Sequence, residues 1–564
     1  MDSGRFLLAV ILMIAVMVVT NLLLPPERPP LVEAPAADTA AVPVTAPSDV
    51  PADTPGIAER TEAPAPATDA PAAALPVADA TVPADTIVAA SPRYEYRIST
   101  RGAAVVGARL LQYDVLHEDR EGERVELSHE DLPGLFSYRL RIGTREIPLD
   151  GLTFATDSDT FAVAEGEART LELAHGGDDG PAVSVAYTFD PDRYTVGVRM
   201  AVTGLGDQTP TLVIGLPRRL AMNEALPQED ERALAYVVNS EREGISSVRL
   251  GSVRAQRIEN GPLLWAAVKN KYFVTAVITH PESQSRFGGL IADPLPDDHA
   301  AGMSVTLLPD ASGTFAFRLY MGPQEPQRLA EVGSNFEDVN PFGWRAFRPV
   351  LRPLGHAIQW ALYGLQDLLG VGYGWVLVLF GILIRIAMWP LNAKAMRSQM
   401  KNMEIQPKLK EVQAKYKNDP EKLQKEMLRL YKEEGFNPMG GCLPMLFPLP
   451  ILITLFFVFQ STIAFRGVGF LWLPDLSRAD PLYILPVLLG VSMFLMQWLS
   501  TRSMTEQNPQ MKFMMYAMPI FMTVIFLNFA SGLNLYYASM NFASIPQQLQ
   551  IMRERKKFQA SRGD

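Results

Sequence analysis

The chain has 564 residues, of which 20% are charged and 48% are hydrophobic, and its formal net charge at pH 7 is −10. This length predicts two or more domains. The acidic balance argues against a basic nucleic-acid binder, and the single cysteine, Cys442, excludes an intramolecular disulfide and a cysteine-based metal cluster.

The charge is distributed unevenly along the chain. Residues 372–564 contain 21 Lys and Arg against 12 Asp and Glu, a formal charge of +9, whereas the remaining residues carry −19. The sequence therefore divides into an acidic N-terminal part and a basic C-terminal part.

The first predicted element is a transmembrane anchor over residues 1–24. Phe6 to Leu24 carry no charge over 19 positions, and a helix needs about 20 apolar residues to cross a bilayer. A cleavable signal peptide is the alternative, but its apolar region usually spans about 7–15 residues. Residues 25–92 follow with 15 Pro, 20 Ala and no aromatic residue, a composition that predicts a disordered, extended tether.

Alternating apolar and polar residues characterise the next region, residues 93–341. Examples are YEYRIST at 94–100 and RYTVGVRMAV at 193–202. This period of two, broken by Gly, Asp and Pro clusters, predicts one large antiparallel β domain, either a sandwich or a barrel. The region holds five of the six histidines, and none has metal-ligand spacing to a second His or Cys, so we predict no metal site there.

An amphipathic helix is predicted within residues 342–371. Apolar residues recur at steps of three and four from Phe347 to Leu369. Pro349 and Pro353 are expected to confine the helix to the later part of the segment. Tryptophans and arginines on it favour a position at the membrane interface over a role in covering the β domain.

Five apolar stretches form the predicted membrane core over residues 372–551. They are 374–391, 443–463, 482–499, 513–530 and a weaker 533–551. With the anchor they predict six transmembrane helices, so both termini lie on the same side of the membrane.

Two basic segments orient these crossings. Residues 392–442 contain 11 Lys and Arg against 7 Asp and Glu, and the tail 552–564 is also basic, so the positive-inside rule places both segments and both termini in the cytoplasm. Residues 392–442 resemble a helical hairpin whose first arm is bent or broken near Pro407. Asp419 is predicted to cap the second arm, with Pro420 at its first position.

Arg385 is the one formally charged residue in the six predicted crossings. A charge at the middle of a membrane helix costs about 2.5 to 3.5 kcal/mol on insertion scales, so something must satisfy the guanidinium. Snorkelling to the interface is one explanation, and a water-containing cavity is the other. The cavity is favoured because the other crossings carry many polar residues, namely Thr454, Gln460, Ser492, Gln497, Thr523, Asn528, Asn534, Ser539, Asn541, Gln547 and Gln548.

A cation in such a cavity suits an anionic guest. The residues alone leave open an anionic solute, a lipid head group, and the carboxylates of a polypeptide that crosses the membrane. A secondary transporter or channel for an anionic solute is therefore an alternative function, although no internal repeat of the kind common in transporters is evident.

The order and spacing of several motifs resemble those of the YidC membrane protein insertases in their Gram-negative form. The motifs are the Arg385 segment ending in Trp389-Pro390-Leu391, NPMGGCLP at 437–444, Trp472 with Asp475-Leu476-Ser477 and Asp480-Pro481, and Ser531-Gly532-Leu533 running to Tyr536-Tyr537. The resemblance implies a periplasmic β-supersandwich and a conserved five-helix core. That core encloses a hydrophilic groove that is closed outwardly and open to the cytoplasm and to lipid.

The resemblance also implies which residues contact substrate. Arg385 matches the groove arginine of the family and Tyr537 its groove tyrosine, while Gly381 occupies a position that often carries a hydroxyl residue. Pro448 and Pro450 lie in the third crossing, where family members contact substrate helices. The full set that we predict to bind substrate is Arg385, Tyr536, Tyr537, Gln460, Thr454, Asn528, Pro448 and Pro450.

The function implied is that of an insertase and chaperone of the bacterial inner membrane, with no cofactor, metal or catalytic residue. Its expected partners are newly made membrane proteins and the Sec translocon, with ribosomes or targeting factors as candidates for the hairpin and the basic tail. Membrane lipids explain those basic charges equally well. An envelope enzyme is disfavoured because the sequence lacks the usual hydrolase and nucleotide-binding motifs and has no His after residue 371.

Overall fold

The computed structural model describes residues 85–560 except for 130, 133, 157–159, 165, 177–180, 297–298, 344–346, 417–418, 434–447 and 502–508. The predicted anchor 1–24, nearly all of the predicted tether 25–92 and the motif at 437–444 lie outside the described residues.

The β domain is built from two sheets. Its strands are β1 (Thr86–Ala90), β2 (Tyr94–Ser99), β3 (Val105–Asp114), β4 (Arg124–Glu126), β5 (Ser137–Ile142), β6 (Arg145–Pro148), β7 (Thr160–Ala162), β8 (Arg169–His175), β9 (Ala182–Phe189), β10 (Thr195–Thr203), β11 (Thr211–Leu216), β12 (Ala235–Ser240), β13 (Gly244–Arg249), β14 (Arg257–Lys269), β15 (Phe273–Thr279), β16 (Phe287–Pro294), β17 (Ala301–Leu307) and β18 (Thr314–Pro323).

The smaller sheet has the order β4-β3-β2-β1-β7, and the larger has the order β6-β5-β11-β17-β16-β14-β15-β18-β10-β9-β8 with β12 and β13 attached beside β14. Among the described strands, β1 and β7 pair in parallel, and the other pairs, such as β10 with β18, are antiparallel. The prediction of a large antiparallel β domain is confirmed.

The two sheets share one hydrophobic core, as in a sandwich. Strand β2 shows why: its alternating pattern buries Tyr94, Tyr96 and Ile98 on one face. The ring of Tyr96 stacks on Tyr94 at 3.9 Å, and its hydroxyl donates to the carbonyl oxygen of Met321 in β18, on the other sheet, at 2.6 Å. Buried tyrosines thus fill the core and satisfy their hydroxyl groups across it.

The domain begins earlier than its predicted start at residue 93. Strand β1 lies within the range predicted as tether, pairs with β2 and buries Ile87 and Ala89. A strand of five residues at the end of a long Pro/Ala-rich stretch is too short to change the composition from which the tether was predicted.

The helices are α1 (Pro227–Ala233), α2 (Pro326–Val332), α3 (Arg348–Leu369), α4 (Tyr373–Lys415), α5 (Pro420–Glu433), α6 (Pro448–Ser461), α7 (Ile484–Thr501), α8 (Pro509–Phe526) and α9 (Ser531–Ala560). The first two are short insertions in the β domain. The others form the region that follows it.

Helix α3 is the predicted amphipathic helix, but it starts earlier than expected. Pro349 lies in its first turn, where the missing N–H has no helical partner to lose, and Pro353 is accommodated inside the helix. Leu351 and Leu362 are buried in a core shared with α4 and α6, whereas Trp360 on the opposite face is 79% exposed.

Helix α4 continues without a break through Pro390 and Pro407 to Lys415, so the first arm of the hairpin and the preceding apolar segment are one helix. The cap of the second arm is confirmed, because the carboxylate of Asp419 accepts the N–H of Lys422 at 3.1 Å at the start of α5.

Among the described helices, Tyr373–Pro390 has the length and mean hydropathy, 1.7, expected of a membrane span. The apolar segments Pro450–Ser461 and Ile484–Leu499 are shorter. The number of six crossings stays a prediction.

Candidate groove around Arg385

Arg385 lies on α4 where this helix packs closely against α9. The close approach depends on Gly381, one turn earlier, since a Cβ at that position would lie 3.0 Å from the carbonyl oxygen of Tyr536 and 3.3 Å from the backbone nitrogen of Met540. A hydroxyl-bearing residue at position 381 would separate the two helices. Gly381 therefore allows tight helix packing beside the arginine and provides no hydroxyl group.

The guanidinium of Arg385 faces a pocket of about 470 Å³ between α4 and α9. The pocket is lined by Val378, Ile382, Arg385, Ile386, Trp389, Ser539, Phe542 and Ala543. The side chain is half-buried, and its Nε atom is buried without a hydrogen-bond partner among the described residues. Within that same part of the chain Arg385 forms no described ion pair, so its donors are available to a guest.

The rest of the pocket is largely apolar. Ser539 also lines the pocket and carries a polar group, but its hydroxyl already donates to the carbonyl oxygen of Leu535 at 2.7 Å. Trp389 and Phe542 contribute aromatic surface to the lining of the same pocket. The pocket thus suits a segment that places a negative charge beside apolar side chains.

The two predicted tyrosines lie in an aromatic cluster and are absent from the lining of this pocket. The ring of Tyr536 is 5.7 Å from Phe380 and 6.0 Å from Phe459, and the ring of Tyr537 is 5.5 Å from Phe526. The hydroxyl of Tyr537 is buried and has no hydrogen-bond partner in the described structure, which makes it a second unsatisfied polar group on the groove helices.

The other predicted site residues are distributed along α6 and after α8. Thr454 is buried, and its hydroxyl donates to the carbonyl oxygen of Pro450 at 2.7 Å. Gln460 and Asn528 are exposed. Pro448 begins α6. These residues do not line the Arg385 pocket, and their contact with substrate stays a prediction.

Several polar residues of α9 connect the helices of the core. Asn541 donates to the hydroxyl of Ser492 in α7 at 2.9 Å, and Gln547 donates to the backbone carbonyl of Trp389 in α4 at 3.2 Å. The Oε1 atom of Gln547 is buried with no hydrogen-bond partner in the described structure. These side chains fix α9 against its neighbours, which accounts for part of the polarity that the sequence shows in the last crossing.

Residues 462–483, which we call the outer cap, cover the ends of α7 and α9. The carboxylate of Asp480 accepts the N–H groups of Leu482 at 3.0 Å and Leu485 at 2.7 Å, capping α7. At the start of α9, the Ser531 hydroxyl donates to the carbonyl oxygen of Asp475 at 3.0 Å. These bonds account for the motif residues at 475–480, which serve as caps and ties.

Sequence reasoning missed the contribution of Trp389 and Phe542 to the pocket and made no prediction for Arg466, an arginine of the outer cap. Apolar lining residues carry no signal that separates them from ordinary membrane-helix residues. A lone arginine in a short loop is likewise typical of a solvated position. The spacing of Trp389, one turn after Arg385, was the available indication that both lie on one face.

A β-sandwich is followed by apolar helices, among which Arg385 borders a pocket and forms no ion pair with the residues that the structure describes. This arrangement is that of a multi-domain integral membrane protein. Comparisons with known proteins identify the family. Residues 364–559 match the family described as 60Kd inner membrane protein, and residues 86–353 match the YidC periplasmic domain.

Two relatives illustrate how much of the chain is matched. A membrane protein insertase YidC of Chloroherpeton thalassium is 30% identical over 485 residues, which cover 80% of each chain. The protein of the same name from Aromatoleum aromaticum is 28% identical over 570 residues, which cover 98% of each chain. The chain belongs to the YidC family of membrane protein insertases, with an inner-membrane location and a periplasmic β domain.

Among solved structures, one described as an active YidC insertase with its first transmembrane domain resolved is 18% identical. It covers 85% of this chain and 94% of its own, at a TM-score of 0.32. A TM-score this low adds nothing to the argument for the fold. The family assignment gives no support to the alternative of a transporter or channel for an anionic solute.

Proposed function

We propose that the pocket around Arg385 receives the polar, often acidic segment of a membrane protein during its insertion, without any chemical reaction. The observation that carries this proposal is the half-buried Arg385 side chain, which faces a pocket and whose Nε has no hydrogen-bond partner in the described part of the chain. The passage of a polar segment through hydrocarbon is costly because its groups lose water. A groove that replaces part of that water lowers the cost.

The magnitude of the pairing is adequate for this role. A carboxylate about 4 Å from a guanidinium gains roughly 4 kcal/mol at the effective dielectric constant of a protein near its surface. That gain is comparable to the cost of about 2.5 to 3.5 kcal/mol for one charge at the middle of a membrane helix. A transient pair therefore holds the segment without trapping it, since both groups regain water after release.

The apolar part of the substrate supplies the driving force. It moves into lipid along α6 and α8, the third and fifth predicted crossings, and its removal from water is favourable. Pro448 and Pro450 at the start of α6, together with Thr454, Gln460, Asn528, Tyr536 and Tyr537, are proposed contacts along this path. The aromatic lining of the pocket supports the passage of apolar side chains beside the charge.

We also propose the arrangement around the groove. Six helices cross the inner membrane with both termini in the cytoplasm, where the hairpin 392–442 and the tail 552–564 lie. Their excess of basic residues supports this orientation. Contact of these segments with ribosomes or targeting factors, and association of the chain with the Sec translocon, are proposals that rest on the family resemblance and on charge alone.

The test is the insertion of a single-spanning substrate into liposomes that contain the purified protein. Two substrates are compared, one with acidic residues in the translocated end and one with the matching amides. Arg385→Gln is expected to slow insertion of the acidic substrate about tenfold or more, as loss of at least 1.4 kcal/mol implies, and to affect the amide substrate much less. Arg385→Lys should retain most of the activity, because it retains the charge.

Ser539→Ala is the matched control, because it changes a pocket residue whose hydroxyl is already bonded within its own helix. It should leave both rates near the native values. Equal insertion of the acidic substrate by the native protein, Arg385→Gln and empty liposomes would contradict the proposal.

A further inference from the structure

Arg466 of the outer cap joins the membrane core to the β domain. Its Nε donates to the carboxylate of Glu224 at 2.7 Å, its Nη1 to the carbonyl oxygen of Asp114 at 2.8 Å, and its Nη2 to that of Asn223 at 3.2 Å. The two charged side chains are only 4% and 5% exposed. The guanidinium also lies 5.4 Å from the centre of the Phe273 ring. Every nitrogen of this side chain therefore has a partner in the β domain.

The outer cap is attached on two sides. Ile463, three residues before Arg466, is buried in the hydrophobic core of the β domain. The other end of the cap is tied to the membrane helices, since Leu473 and Leu476 are buried with Leu533 and the backbone N–H of Gly532 donates to the carbonyl oxygen of Leu476 at 2.9 Å. The cap thus connects the β domain to the outer end of α9, the helix that lines the Arg385 pocket.

We propose that Arg466 is a positioning residue that fixes the outer cap against the β domain and so keeps the Arg385 groove closed on its outer side. This inference rests on the proposed function only in taking the Arg385 pocket to be the groove that receives the substrate. Arg466 contacts neither the pocket nor a substrate, and it acts through the cap and α9. In this role the β domain holds the outer cap in place.

The charges around Glu224 make the docking of the outer cap on the β domain depend on pH. The pKa of the Glu224 carboxyl is raised to about 7, chiefly by burial and also by Asp230, whereas Arg466 and Lys271 oppose this shift. The Tyr272 hydroxyl also lies within electrostatic range of Glu224. When the cap leaves, Glu224 regains water and its ordinary pKa near 4.5.

The sign follows from proton linkage. The docked state holds the proton of Glu224 more tightly than the detached state, so docking is strongest below pH 4.5 and weakens as the pH rises through 7. Arg466 limits that weakening, because it pairs with the carboxylate that forms. Without Arg466 an unpaired carboxylate remains buried at pH 8. At pH 5.5 the carboxyl group stays protonated, and the loss is confined to the hydrogen bonds that the guanidinium donates to the carbonyl oxygens of Asp114 and Asn223.

The experiment is hydrogen exchange of the cap amides in the full-length protein in lipid nanodiscs, corrected for intrinsic rates, at pH 5.5 and pH 8. Arg466→Met should exchange about 100-fold or more faster than native at pH 8, because it leaves a buried carboxylate without its partner, and should exchange faster by a much smaller factor at pH 5.5. The double variant Glu224→Gln, Arg466→Met should lose this difference between pH values. Arg466→Lys should retain part of the native protection at pH 8, because it keeps the charge but not the three separate donors. Arg139→Met, which removes an exposed pair with Glu146, is the control and should match native.

Closure is tested separately in a Cys442→Ser, Ser539→Cys background with a membrane-impermeant thiol reagent added on the periplasmic side. Arg466→Met should increase labelling at pH 8, and the double variant should reverse the increase. Native cap exchange in Arg466→Met at pH 8 would overturn the positioning role, and a loss of protection equal at both pH values would overturn the contribution of the Glu224 carboxylate to it. Unchanged labelling would overturn closure. Exchange in β14 monitors the folding of the β domain, and both readouts need no substrate, so they are independent of the Arg385 insertion test.

Discussion

The side chain of Arg466 is buried and that of Arg385 is half-buried, and the surroundings of these two arginines are opposite. Arg466 donates to a carboxylate and to two backbone carbonyl groups of the β domain. Arg385 faces a pocket, and its Nε has no partner among the residues that the structure describes. Under the two proposals above, the presence of a partner separates an arginine that holds the fold together from one that receives a substrate segment. The paired guanidinium stabilises one arrangement, and the unpaired one retains its capacity for a guest.

The largest effect is expected when the sign of the unpaired charge is reversed. Arg385→Glu should slow insertion of a substrate with an acidic translocated end by about 100-fold or more, because attraction worth a few kcal/mol becomes repulsion. A substrate whose acidic residues are replaced by lysine should recover much of the rate in this variant. The measurement is the insertion rate in liposomes, and a variant that inserts both substrates equally would remove the distinction between the two arginines.

The next largest effect is on the stability of the protein when Arg466, the paired arginine, is replaced. Arg466→Met should lower the free energy of unfolding by about 3 to 5 kcal/mol at pH 8, because it leaves a buried carboxylate without its partner. Thermal unfolding followed by tyrosine fluorescence of the β domain measures the change. Arg385→Met in the same assay should not destabilise the protein, since no residue that the structure describes pairs with Arg385. A destabilisation of equal size in both variants would mean that Arg385 has a structural partner.

A smaller effect is expected where α4 and α9 touch beside Arg385. Gly381→Ala places a methyl group 3.0 Å from the carbonyl oxygen of Tyr536 and should cost about 1 to 3 kcal/mol of stability, as overpacking usually does. Insertion should slow with it, because the pocket is bounded by both helices. Gly364→Ala is the control, since nothing lies within 4 Å of a Cβ there. Similar melting temperatures for the two variants would show that the helices separate freely.

The smallest effect concerns the hairpin, far from both arginines. Asp419→Ala removes the cap of α5 and should cost about 1 kcal/mol locally. Hydrogen exchange should increase in the first turn of α5, with insertion in liposomes unchanged. Asp419→Asn should preserve protection, because an amide oxygen also accepts the capping bond. An insertion defect in the Ala variant alone would extend the functional region to the hairpin.

The sequence predicted the β domain and the isolated charge because both depend on local patterns. Alternation buries Tyr94 and Tyr96 in the way the period of two requires, and Arg385 is conspicuous in any apolar stretch. The start of α3 was placed too late, since the rule against proline inside helices does not apply to Pro349 in the first turn. Helix α4 continues through Pro407, so of the bend or break predicted there the break is excluded.

What could not be predicted depends on contacts distant in sequence. Glu224 and Arg466 are separated by 242 positions, and the residues next to each of them in the sequence do not indicate that the two form a pair. Tyr537 is predicted from the family resemblance to line the groove. Its ring lies 5.5 Å from that of Phe526 and its hydroxyl has no hydrogen-bond partner among the described residues, while its contact with substrate stays a prediction. The packing of α9 against four other helices determines which side chains share a pocket, and one-dimensional periodicity does not contain that information.

The continuity of α4 has a mechanical consequence. The helix has 43 residues, and the 30 that separate Arg385 from Lys415 span about 45 Å at 1.5 Å per residue. Arg385 and the first arm of the predicted hairpin are therefore parts of one continuous helix. Under the proposal that a partner binds the hairpin, a rotation of this helix at the pocket produces a larger displacement at the hairpin, and a load on the hairpin acts on the wall of the pocket.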